Sequence, residues 1–358
     1  MAAIAFRFKL FHRLLLSFLL VALIPVGVIW LIGRELLQQQ AQTAMQEQLR
    51  LQSERIAGQV DNWSNINVHL LHLAAAIPAI TSLDPVQQKP VLQAIANSVA
   101  QIYLVHTMDA SGKNIARNDA EELRSYVDRK YFRDPMSGAA VSHEVQISKT
   151  LGKPAWHVGV PVLDVAGKPI AVIALSARLE AIAKVIEASR FGETGYAFLM
   201  QDDGKLVASP VVPMGDKLID YSKHPAYIAF KENQTNPIRY IDNGKEVIAH
   251  VQRTAIGWIG VIQEDVSEGM APVYRADRDA LIVLLLTIAA VAGVATWVAR
   301  SLSQPILRLT DVADQISRGK LQHDMPEKER ADEIGALARA IERLTKSMSI
   351  ALERLRKH

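Results

Sequence analysis

Residues 14–32 read LLLSFLLVALIPVGVIWLI, and residues 280–298 read ALIVLLLTIAAVAGVATWV. Each run holds about 19 residues without a charge, close to the roughly 20 that a helix needs to span hydrocarbon. Pro25 and Gly27 interrupt the first run, which membrane helices tolerate better than soluble ones. Trp30 and Trp297 sit near the run ends, where interfacial aromatics belong. A cleaved signal peptide is the rival for the first run. Its apolar stretch would be shorter, and a small-residue cleavage site would stand where Gly33-Arg34-Glu35 follows. A buried soluble helix is the rival for the second run, but such a helix usually keeps a polar stripe. The two runs therefore bracket residues 33–279 between membrane spans.

Basic residues orient the spans. Arg7, Lys9 and Arg13 precede the first, and Arg300 and Arg308 follow the second. The positive-inside rule places both termini in the cytoplasm and the bracketed region on the opposite side of the membrane. The expected divisions are a cytoplasmic N-terminus over 1–13, spans over 14–32 and 280–298, an outer domain over 33–279, a cytoplasmic segment over 299–350 and a helix end over 351–358.

Composition narrows the class. The 358 residues include no cysteine, which removes disulfides, thiolate zinc sites and a cysteine nucleophile. A net charge of +3 gives no clustered basic excess for nucleic acid. No P-loop, H-E-x-x-H, G-x-S-x-G or EF-hand pattern is present, so neither an enzyme activity, a metal nor a cofactor is expected.

Between the spans the periodicity changes once. Residues 34–73 are rich in Gln, Ala, Leu and Glu, and Leu37, Ala41, Met45, Leu49, Leu51 and Ile56 fall near helical spacing. A long helix is predicted, ended by Pro78 and Pro85. Strand-like segments then cover 101–105, 144–147, 155–162 and 169–175, with turn signals at Asp109-Ala-Ser-Gly112 and Asp164-Val-Ala-Gly167. A helix over 179–188 follows. The pattern recurs with strands at 195–200, 206–208, 238–241, 245–251 and 257–262, the pair around Asn243-Gly244 carrying a strong hairpin signal. This is an α+β domain of two similar modules in tandem, a distal one near 90–180 and a proximal one near 190–265.

Three segments of this region resemble the double Cache sensor domain of bacterial transmembrane receptors. They are Asp128-Arg-Lys-Tyr-Phe-Arg-Asp134, Val160-Pro-Val-Leu-Asp-Val-Ala-Gly-Lys-Pro-Ile170, and Gly192-Glu-Thr-Gly-Tyr-Ala-Phe-Leu-Met200 with Asp203-Gly204. The resemblance implies a tandem Cache, PAS-like fold hung on one long helix.

Beyond the second span, Leu302, Ile306, Leu309, Ala313 and Ile316 recur in alternate steps of four and three. After a connector of roughly 14 residues, Ile334, Leu337, Ile341, Leu344, Met348, Ala351 and Leu355 do the same. Such seams need a partner, which predicts a parallel homodimeric bundle. With Pro305, Gly319, Leu321, Met325 and Asp332-Glu-Ile-Gly335, the segment resembles a HAMP domain. Ordinary amphipathic helices on some other core are the alternative.

The double Cache resemblance implies a small ligand under the segment 128–134. Arg129 offers a planar fork for a carboxylate, Tyr131 and Phe132 aromatic walls, and Asp134 an acceptor. Alternation along the next strand turns one of Trp156 and His157 to the pocket, where the histidine could bond a ligand or titrate. Amino-acid-binding members carry an acid where Ser176 falls here, and tyrosines where Arg124 and Ile147 fall. The expected ligand is therefore a carboxylate without an α-amine. The whole reads as a membrane receptor that senses a small molecule and signals through HAMP to a separate cytoplasmic kinase, phosphatase, cyclase or chemotaxis partner. A chemoreceptor or kinase that has lost its output domain is the first alternative. An anchored ectoenzyme and a solute-capture module are the others.

Overall fold

The computed structural model describes residues 10–320 and 324–356. Arg7, Lys9 and the connector residue Leu321 lie outside the described residues, as do the side chains of Arg13, Ala351 and Leu355. The chain divides into two units, residues 39–271 and the remainder.

Helix α1 runs Leu10–Ala75 without interruption, Pro25 included. Over its C-terminal half Met45, Leu49, Ile56, Val60 and Leu71 are buried on one stripe, while Leu51 faces solvent. Pro78 and Pro85 do more than end the long helix: each opens a short one, α2 (Pro78–Thr81) and α3 (Pro85–Ser98). Proline suits the first helical turn because its missing N–H is not needed there. Asp84 caps α3 by accepting from Val86 N at 2.9 Å.

The distal module follows: β1 (Ile102–Asp109), β2 (Asn114–Arg117), α4 (Lys130–Met136), β3 (Ser142–Ile147), β4 (Pro154–Leu163) and β5 (Pro169–Arg178). The strands form one antiparallel sheet in the order β2-β1-β5-β4-β3. Helix α5 (Glu180–Glu187) leads to the proximal module, with β6 (Tyr196–Met200), β7 (Leu206–Ala208), α6 (Pro225–Lys231), β8 (Ile238–Asp242), β9 (Lys245–Arg253) and β10 (Ile259–Asp265). Its order, β7-β6-β10-β9-β8, repeats the distal topology strand for strand. Strand β2 and helices α3, α4 and α6 were not legible as such in the sequence.

Trp63 of α1 touches both modules. Its ring lies 4.4 Å from Trp156 of β4 and 6.4 Å from Trp258, just before β10. Aromatic pairs at such spacings add to the area they bury. The short helix α7 (Val266–Gly269) closes this unit.

In the other unit, α8 (Ala271–Val298) carries the second apolar run, and a π-turn over Ala299–Ser303 joins it to α9 (Gln304–Ser317). Both apolar segments reach a mean hydropathy of 2.5 and are long and apolar enough to cross a membrane. Asp277 of α8 accepts from Trp30 Nε1 at 3.3 Å and pairs with Arg34 Nε at 3.1 Å.

Helix α10 (Glu333–Arg356) packs back on α9 through Leu309, Met325, Ile334 and Ala338. Glu327 is buried in the connector and meets Arg308 Nε at 3.1 Å. Asp332 accepts from Gly335 N at 3.1 Å and so caps α10. A Cβ on Gly335 would lie 2.0 Å from Arg330 O, so glycine alone fits this opening. Of the seam residues, Leu302, Ile306, Leu337, Leu344 and Met348 are left exposed within one chain.

Candidate functional site in the distal module

Strand β4 sets the site through alternation. Trp156 and His157 are adjacent, so they face opposite sides of the sheet. Trp156 faces α1 and packs on Trp63 and His143. His157 faces α4, and its ring stacks on Tyr131 at 5.2 Å and 17°. On the neighbouring strand Ser176 is paired directly with His157. The two side chains meet, with His157 Nδ1 and Ser176 Oγ 2.7 Å apart.

Helix α4 is held on this face by backbone fit. Gly159 of β4 leaves room for Tyr131 O, which a Cβ would meet at 2.1 Å. Glu144 of β3 accepts the Lys130 N–H at 3.0 Å and thereby caps the helix start.

Arg129 stands at that start, with little of its side chain exposed. Its Nη2 donates to Ile147 O at 3.0 Å, and Asp128 lies 3.6 Å from its Nε. Buried Nε makes no hydrogen bond. The Tyr103 hydroxyl of β1 and His106 Nε2 are likewise buried and unbonded. Buried polar groups are normally paired, so three orphans on one side of one sheet mark a polar site.

A second layer surrounds them. Arg117 of β2 is buried and grips Asp119 with both prongs at 2.7 Å, while its Nη1 donates to the Tyr126 hydroxyl at 3.1 Å. Burial works against both charges, yet the pairing prevails: the Arg117 pKa lies above its ordinary value and that of Asp119 below. His106 packs on Tyr126 at 4.6 Å and its Nδ1 lies 2.8 Å from Asn114 Nδ2.

Electrostatics follow from burial. The His157 pKa is pushed down to about 3 by burial and by the nearby Arg129 charge. That of His106 falls to about 3 for the same first reason, with Arg117 adding to it. Both rings are neutral at physiological pH. Burial raises the Glu144 carboxyl although Arg129 opposes it. Burial also raises the phenol of Tyr131 well above its ordinary value.

The structure thus brings Arg129, Tyr131, His157 and Ser176 together. Phe132 packs in an apolar cluster with Met108, Tyr126, Val172, Ala174 and Tyr131 itself. Asp134 accepts from Ser142 Oγ at 2.7 Å and fastens the end of α4 to β3. Trp156 lies on the far face. Tyr103, His106, Arg117 and Tyr126 join the site without having been singled out in the sequence. Their signal was weak: Arg117 sits on a four-residue strand, and His106 on a strand that also carries Thr107 and Asp109.

Comparison with known proteins adds the family. Residues 33–273 match the family described as Cache domain, and residues 297–349 match the HAMP domain. The chain is 24% identical over 359 aligned positions to methyl-accepting chemotaxis protein PctB of Pseudomonas aeruginosa, covering 95% of this chain and 55% of PctB. It is 28% identical over 181 positions to methyl-accepting chemotaxis protein McpA of Bacillus subtilis, covering 49% of this chain and 26% of McpA. The chain therefore spans about half the length of the first relative and a quarter of the second.

Among solved structures, the ligand-binding domain of the Pseudomonas fluorescens chemoreceptor CtaA in complex with L-isoleucine is similar, with a TM-score of 0.52 and 17% identity over 67% of this chain and 98% of that one. The ligand-binding domain of PctB in complex with L-Arg gives 0.52 and 19%, over 63% and 97%. The sensory domain of the Campylobacter jejuni chemoreceptor Tlp3 gives 0.53 and 16%, over 66% and 99%. At these identities the likeness establishes the fold.

Proposed function

We propose, from the premise that this chain belongs to the Cache domain family and carries a HAMP domain, that it is a bacterial inner-membrane receptor sensing a small carboxylate in its distal module. Arg129 carries this reading. It is a nearly buried guanidinium with one N–H unbonded, beside neutral His157, the Ser176 hydroxyl and the unbonded Tyr103 hydroxyl. That set offers one positive charge and several neutral hydrogen-bonding groups, which suits a carboxylate with a polar neighbour.

An α-amino acid is the second reading, favoured by the amino acids held in the CtaA and PctB domains. Its ammonium would need a free carboxylate. Asp119 is committed to Arg117, Asp128 to Lys149 at 2.6 Å, and Glu144 to the Lys130 N–H at the start of α4. Ser176 supplies only a hydroxyl at the end of β5.

Both termini are then cytoplasmic, and binding biases two arrangements of the outer domain. A small shift of α8 carries the bias to the HAMP segment, whose exposed seam residues pair across a homodimer. The kinship with two methyl-accepting chemotaxis proteins points to a cytoplasmic partner of the chemotaxis type.

The test is a thermal-shift screen on a fragment of residues 36–277, which contains the compact unit 39–271. The library holds organic acids, amino acids, amines and purines. A ligand that binds only the folded state stabilises it by about 2.7 kcal/mol at a hundredfold over its Kd. A carboxylate hit that vanishes in Arg129→Ala supports the reading. A hit retained in that variant, or an amino acid that outperforms its deaminated analogue, overturns the carboxylate assignment.

A further inference from the structure

We propose that the proximal module holds a second ligand site, for a small organic ammonium cation, walled by Tyr196, Phe198, Tyr221 and His224 and closed by the carboxylate of Asp242. The proposal goes beyond the distal reading and shares no residue with it.

These side chains line a pocket of about 350 Å³ on the face of the proximal sheet. That volume lies at the small end of ligand cavities. Asp242 ends β8, just before the Asn243-Gly244 turn, and Tyr196 opens β6. His224 caps α6: its Nδ1 accepts from Ala226 N at 3.2 Å, which places the proton of the neutral ring on Nε2. Its ring lies flat on Tyr221 at 5.1 Å and 5°, and meets Phe198 and Tyr240 edge-on at 5.1 and 5.5 Å. The aromatic wall is therefore fixed by mutual packing.

Among the described residues lining the pocket, Asp242 is the one that carries a charge at neutral pH. Its Oδ2 accepts from Gln263 Nε2 at 3.0 Å and from the Tyr196 hydroxyl at 3.4 Å, and its Oδ1 from Asn243 Nδ2 at 3.1 Å. Gln263 is itself anchored by the Tyr240 hydroxyl. All these donors are neutral. They orient the carboxylate without cancelling its charge. The nearby cation Lys245 is taken by Asp265 at 2.7 Å.

A carboxylate beside three aromatic rings attracts a cation by Coulomb force and by the ring quadrupoles together. An anion would find no positive partner among the lining residues. A zwitterionic amino acid would set its own carboxylate against Asp242. A small monocation fits both terms.

The test is calorimetric titration of the full chain in detergent micelles with choline, and with its uncharged carbon isostere 3,3-dimethylbutan-1-ol. Saturable one-site binding of choline with no binding of the isostere is expected. Asp242→Asn should weaken choline by about tenfold or more. Tyr221→Ala should weaken it too, and decides the matter if Asp242→Asn melts without cooperativity. Equal binding of the isostere, tighter binding of glycine betaine than of choline, or no heat with choline and propylammonium at millimolar concentration would overturn the proposal. Loss of choline binding in Arg129→Ala with retention in Asp242→Asn would overturn it by placing the cation in the distal module. A failed carboxylate screen would leave it standing.

Discussion

The imidazole of His157 lies stacked on the ring of Tyr131, 5.2 Å between centroids, with its Nδ1 2.7 Å from Ser176 Oγ. One imidazole thus joins a helix to two strands. It places the ring face of one predicted site residue on another and uses the hydroxyl of a third. The position of α4 on the sheet decides whether Arg129, at the head of that helix, reaches the same place.

Arg129→Ala should weaken the carboxylate ligand by about tenfold or more, the scale of a lost charge-assisted hydrogen bond. The melting temperature without ligand should move little, because Arg129 makes one backbone hydrogen bond and one long ion pair. Calorimetric titration of the 36–277 fragment checks both. Unchanged affinity would remove Arg129 from the site.

Gly159→Ala tests how α4 is seated. The new Cβ would fall 2.1 Å from Tyr131 O, so helix or strand must move. Overpacking of this kind costs about 1–3 kcal/mol, and the ligand affinity should fall with the stability. Urea unfolding together with a ligand titration reads both quantities.

Acid should destabilise the 36–277 fragment well above the carboxylate range. His106 and His157 are held down at about 3 and His143 at about 4, chiefly by burial, while the unfolded chain titrates near 6.5. The unfolded state therefore binds more protons below pH 6.5. Stability is complete above that pH and falls as the pH drops toward the folded values, by up to about 1.4 kcal/mol per pH unit for each histidine. Glu264, raised to about 7 by burial, acts in the opposite sense between pH 7 and 4.5 and offsets one of the three. Urea midpoints of the fragment at pH 7.5, 6 and 5 should decrease in that order; a flat series would contradict the buried neutral rings.

Trp63→Ala removes the side chain that touches both modules. A loss of about 3 kcal/mol is expected from a large aromatic deletion. The two modules should also begin to melt separately. Calorimetry that still shows one sharp transition would mean that other contacts couple them.

Leu337→Asp with Leu344→Asp places charges on two exposed seam residues of α10. Light scattering in detergent should report a dimer for the parent chain and a shift toward monomer for the variant. An unchanged mass would rule out this seam as the interface.

Much of this was legible in the sequence because the signals are local. Hydropathy over 14–32 and 280–298, the helical run after Arg34, the turn at Asn243-Gly244 and the seam steps each depend on residues within a few turns of one another. Helix α6 and strand β2 were missed for the same reason. Each is short, seven and four residues, and stabilised by distant partners rather than by its own pattern.

Periodicity alone determined that this chain has two membrane-length helices, a tandem α+β domain and a heptad segment. It also determined that Trp156 and His157 must part to opposite faces. Only tertiary structure decided which face belongs to which, since that depends on α1 lying against one side of the sheet and α4 against the other. It also brought His106 and Arg117 beside Arg129's face of the sheet, and Asp242 beside Tyr196, across 46 residues. The reason is physical. Spacing along a chain fixes which side chains share an element, whereas strand register and helix docking fix which elements share a site.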